Sequence, residues 1–91
     1  PYTTLFRSTA RTLEIYPNPA THHVNVNMNM NQSSDIILQV ISSEGRVVET
    51  RLYPNSSKVS DAFDVSQYAR GLYVIKVLHG KTTYLERITL E

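Results

Sequence analysis

From His23 to Met30 polar and apolar residues alternate without a break, with Val24, Val26, Met28 and Met30 at one parity and His23, Asn25, Asn27 and Asn29 at the other. A period of two belongs to a strand with one face in a core and one in water; a helix would scatter the same residues around its surface. Asparagine is also a poor helix former, so propensity agrees with period. A chain of 91 residues has room for one core beside such a strand and hides about 60 to 65 percent of its unfolded surface. This segment therefore commits the whole chain to a small domain built on a sheet.

The stretch before it, "YPNPATHH", carries Pro17 and Pro19. Each fixes its own φ, lacks an N–H and pushes the preceding residue toward extended backbone, so Leu13 to Tyr16 reads as a short first strand. Residues Pro17 to Thr21 then form a stiff connector. Farther on, "DIILQVIS" (Asp35 to Ser42) is apolar at both parities, the pattern of a strand covered on both faces or lying in a sandwich. Glu44-Gly45 is a hairpin turn in which Gly45 can take a positive φ, and Val47 to Tyr53 returns as partner. Pro54 to Ser57 break the chain before a strand over Val59 to Val65. "DVSQYARG" predicts one helical turn capped by Asp64 or Ser66 and stopped at Gly71. Leu72 to Leu78, a His79-Gly80 turn and Thr82 to Leu90 complete the reading.

Seven short strands, turn signals roughly every 8 to 12 residues, and no long amphipathic helix predict an all-β, seven-stranded antiparallel immunoglobulin-like β-sandwich. In such a fold Tyr73, just past Gly71, is placed for its hydroxyl to return to nearby backbone.

Nothing in the sequence announces chemistry. A nucleophile with its base, paired carboxylates and a metal-ligand cluster are all missing as patterns, so no catalytic, cofactor-binding or metal residues are assigned. His22 and His23 point to opposite faces in a strand, His79 stands alone, and Asp61 and Asp64 differ in parity. The chain lacks cysteine, which removes thiolate chemistry and disulfides. With nine Lys and Arg against eight Asp and Glu the net charge is +1, too little for a nucleic-acid-binding field. No apolar run approaches the roughly 18 residues of a membrane span, and no secretion signal opens the chain; if exported, it is exported as part of something longer. The six tyrosines and the asparagine face leave open a non-catalytic glycan- or protein-binding accessory β-sandwich of a secreted enzyme.

Three segments in order, "LEIYPNPATHHVNV", "VISSEGRVV" and "FDVSQYARGLYVIKVLHGKTTYLERITL", resemble the type A C-terminal sorting domain of the type IX (Por) secretion system of Bacteroidetes. The resemblance implies a folded address label behind a cargo domain. Such a label crosses the periplasm, is recognised by the outer-membrane translocon and is removed by a surface sortase, so the protein is secreted or at the cell surface. It implies that Pro17, Asn18, Pro19, Gly45, Gly71, Tyr73 and the end of the last strand, Arg87 to Glu91, serve recognition by translocon or sortase. The family commonly has a lysine in the last strand where this chain has Arg87. Residues 1 to 11 lie outside the match and read as a linker or non-native segment, leaving 12 to 91 as the domain. Exposed sheet edges also make edge-strand self-association a possible partner mode.

Overall fold

The computed structural model describes residues 12–91; the expected linker, 1 to 11, lies outside them. Five strands and no helix make up the described residues: β1 (Thr12–Tyr16), β2 (His23–Ser42), β3 (Val47–Asp64), β4 (Gly71–His79) and β5 (Thr82–Leu90). The expected seven strands are thus corrected to five. The reason lies in two breaks that do not end their strands. Around residues 30 to 35 the β2–β3 ladder shifts register instead of stopping, and β3 runs through Pro54 with Asn55 at a positive φ of 47°. Bulges bend a strand and strengthen its twist without terminating it. Four expected strands are therefore two long bent ones.

All strand pairings are antiparallel, in the order β1-β2-β4-β5 with β3 along the other edge of β2. The early half of β2 lies between β1 and the late half of β3. Its late half lies between the early half of β3 and β4, which β5 flanks. The sheet is curled, with one core inside. Val24, Val26, Met28 and Met30 are buried, as their parity requires, together with Ile36, Leu38, Val40, Phe63, Ile75, Val77, Ile88 and Leu90. Leu13 and Ile15 of β1 pack against this cluster.

The turns follow their chemistry. Gly45 holds φ at 87° in the β2–β3 turn, where its N–H donates to Ser42 O. The last hairpin turns on Gly80-Lys81 rather than His79-Gly80, since His79 pairs with Thr82. Between β3 and β4 the backbone makes one turn, Tyr68 N–H to Val65 O, and Asp64 is its cap, accepting from the Ser66 N–H and hydroxyl.

"DIILQVIS" departs from its expectation in one respect. Ile36, Leu38 and Val40 face the core, but no described element covers the opposite face, where Ile37 and Ile41 are only half-buried.

Candidate functional site

The connector 17–22 does more than link β1 to β2. It runs along the outer edge of β5, the edge away from β4, and pairs with it. Asn18 uses its side-chain amide as a peptide group would: Nδ2 donates to Arg87 O at 3.0 Å, and Oδ1 accepts from Thr89 N–H at 3.0 Å. Two residues on, Ala20 N–H donates to Thr89 O at 2.9 Å and Ala20 O accepts from Glu91 N–H at 2.8 Å, a parallel bridge to Leu90. Asparagine suits this place because its amide carries donor and acceptor side by side. Both Tyr16-Pro17 and Asn18-Pro19 bonds are cis. Ala20 is buried, and only a small side chain fits where backbone meets backbone.

Arg70 closes the arrangement. Its guanidinium donates to four main-chain oxygens: Thr21 at 2.8 Å, Glu91 at 3.2 Å, Val65 at 2.5 Å and Tyr68 at 2.9 Å and 3.2 Å. A planar fork of five donors can tie three segments together, as an ammonium cannot. The connector, the β3–β4 turn and the end of β5 are thereby one unit, joined also by Val65 N–H to His22 O.

Asn18 and Arg87, 69 residues apart, are thus brought side by side, with Pro17 and Pro19 flanking the one and Glu91 near the other. Gly71 is adjacent, pairing with Leu90 at a φ of 132°. Tyr73 is buried and its hydroxyl donates to Ala69 O, the backward bond expected of it. Gly45 lies at the same end of the sheet but belongs to the hairpin, beside a shallow cavity of about 280 Å³ lined by Arg46, Tyr68 and Tyr73 among others. Two residues of this unit, Ala20 and Arg70, are missing from the sequence-based assignment. Arg70 stands between a turn and a strand in "ARGLYV", where it reads as an ordinary solvated cation.

One further cluster of ionisable groups lies on β3 and the following turn. Arg51 binds Glu49 and Asp61, each at 2.8 Å, with its guanidinium 3.9 Å from the Phe63 ring centroid. Tyr68 donates to Glu49 and Tyr53 to Asp61. Hydrogen bonds from Tyr68 and then Arg51 hold the Glu49 carboxyl below its usual range, and those from Tyr53 and then Arg51 do so for Asp61. Burial and the bond to Asp61 push the Tyr53 hydroxyl up to about 12. Every group is driven toward its resting charge state, the opposite of what an acid or base poised near neutrality needs. The cluster fastens the early half of β3 to the late half.

Among the described residues the tyrosines do not form a stacking surface. Among the described residues Tyr73 and Tyr84 are buried and Tyr53 and Tyr68 are half-buried on carboxylates. Tyr16 is exposed, with its hydroxyl accepting from Asn27. Also among the described residues, no group of three or more His, Cys, Asp or Glu is placed to hold a metal ion, and no helix is long and apolar enough to cross a membrane.

Residues 14–91 match the family described as the secretion system C-terminal sorting domain. The chain belongs to that family. Comparison with curated proteins returned no match. The sorting domain is the C-terminal sorting signal of type IX secretion cargo, so the protein is secreted or at the cell surface and interacts with the secretion machinery. This family is not known as catalytic.

Two predictions follow from these contacts. Asn18→Asp keeps an acceptor for Thr89 but sets a carboxylate against Arg87 O; it is expected to lose stability as Asn18→Ala does, by about 1 kcal/mol, or roughly 4 to 8 °C in Tm. Thermal melts of the two variants check this. Because Glu49 and Asp61 are depressed from 4.5 and 3.8, the unfolded state binds more protons between the folded and unfolded values. Their stabilisation is present above the unfolded values and lost as pH falls through the folded ones. Tm should fall on acidification below about pH 4.5, and the fall should be shallower in Asp61→Asn.

Proposed function

We propose that the sorting domain is read in the folded state, by the outer-membrane translocon, through the surface where the connector joins the end of β5. The observation that carries this reading is the pairing of Asn18 and Ala20 with Arg87, Thr89 and Glu91, completed by Arg70. Segments that begin and end the domain are held as one patch, so a receptor has a single conformational epitope rather than a loose tail. Pro17, Asn18, Pro19, Arg87 and Glu91 are the residues of that patch; Gly45, Gly71 and Tyr73 shape the turns beneath it. Cargo precedes the domain, crosses the periplasm with it, and is released by a surface sortase that cuts before β1.

We read the curled sheet as an immunoglobulin-like sandwich. Its bent β2 and β3 each contribute to two arms enclosing one core, and the Tyr73 hydroxyl bond to Ala69 is of the kind found at the corner of such folds. The accessory glycan-binding alternative finds no specific support, since the exposed tyrosine is engaged by an asparagine.

The test is a fluorescent periplasmic reporter carrying the chain at its C-terminus, in a Bacteroidetes host with and without a working type IX translocon. Surface or medium fluorescence that depends on the translocon, with loss of the domain from the product, is expected. Translocon-independent export, or a folded reporter retained in the periplasm, contradicts the proposal.

A further inference from the structure

The face of the sheet formed by β3, β2, β4 and β5 that no described element covers has a composition that water alone does not explain. Its cross-strand rows place Ile37 between Leu52 and Leu78, and Ile41 between Val47 and Val74, with Leu72 on the next row. Leu52 is 60% exposed, Val47 45% and Leu72 43%. Isolated aliphatic residues on a surface are ordinary, but here aliphatic rows flank the row of Thr50, Gln39, Lys76 and Leu85 on one face, and aliphatic residues gathered in this way mark an interaction site. Lys76 and Arg87 lie on the same face, opposite Gln39 and Val74 respectively. Among the described residues neither has an ion-pair partner. These rows contain no carboxylate: Glu49 and Glu86 take the inner parity, and Asp35 and Glu91 stand beyond the first and last rows. The Asp35 carboxylate is also occupied, accepting from Asn55 N–H.

Resting on the sorting reading above, we infer that this aliphatic face docks on a protein of the secretion machinery whose apolar patch is bordered by carboxylates that pair with Lys76 and Arg87. Charge selects this occupant. A second copy laid face to face would meet two cations with two cations and no acid, which is unfavourable. A membrane surface is matched by four to eight cations and by interfacial tyrosine or tryptophan, whereas the described rows of this face carry two cations. Tyr53, Tyr73 and Tyr84 point into the core side and Tyr16 lies on the other arm. The face is also continuous with the proposed recognition patch, because Arg87 presents its side chain here while its main-chain oxygen binds Asn18.

The reporter fusion supplies the test. Two surface doubles, Lys76→Glu/Arg87→Glu and Leu52→Ser/Leu72→Ser, are compared with Lys58→Glu, which lies on the other arm opposite Asn29. Circular dichroism and melting of the free 91-residue chain establish that each variant folds. Both surface doubles are expected to lower the exported fraction by about tenfold or more, Lys58→Glu by less than about twofold. Folded surface doubles exported like the unaltered chain would overturn the inference while leaving the sorting function standing. Failure of the unaltered chain to direct export removes the sorting reading and the inference with it. Sedimentation is expected to show a monomer and flotation no binding to phosphatidylglycerol vesicles; self-association or vesicle binding abolished by Leu52→Ser/Leu72→Ser assigns the face to a second copy or to lipid and overturns it.

Discussion

The outer edge of β5 is the constraint from which the rest of the domain follows. A curled sheet that does not close has strands whose outward N–H and C=O groups lack a ladder partner, and an unpaired edge invites pairing with another chain. Here the edge near the end of β5 is satisfied internally by the Asn18 amide and the Ala20 backbone. That requirement explains why the connector must double back beside β5, why a small residue follows Pro19, and why an arginine rather than a lysine follows Ala69.

Much of this was legible in sequence. The alternation from Val24 to Met30 identified the inner face of β2, the Gly45 turn and the Tyr73 hydroxyl bond came out as expected, and the three-segment resemblance led to the family. Less legible was continuity: Pro54 and the polar run near residue 32 are break signals, and only the ladder shows that the strands bend through them. The roles of Asn18, Ala20 and Arg70 as a fastening were not visible, because they depend on bringing together segments about 70 residues apart. Local pattern contains no information about such pairing. The apolar double parity of "DIILQVIS" was visible too, but it did not show that no described element covers the outer face of β2.

A secretion signal of this kind needs shape more than reactivity. The charged cluster of Glu49, Arg51 and Asp61 is engaged within itself and holds β3 together, and the proposed recognition patch is mostly main chain held by two side chains. Lys76 and Arg87 are different: among the described residues neither has an ion-pair partner, and both lie on an apolar face.

Amide hydrogen exchange at Thr89 and Glu91 tests most directly whether the beginning and end of the domain are one folded unit. Their N–H groups bind Asn18 Oδ1 and Ala20 O, away from β4. Protection comparable to that of Ile75 and Val77 in the core is predicted, since opening the clasp then requires unfolding the domain. Exchange at nearly unprotected rates at Thr89 and Glu91, with Ile75 and Val77 still protected, would mean that the end of β5 frays freely and that the signal is a tail after all.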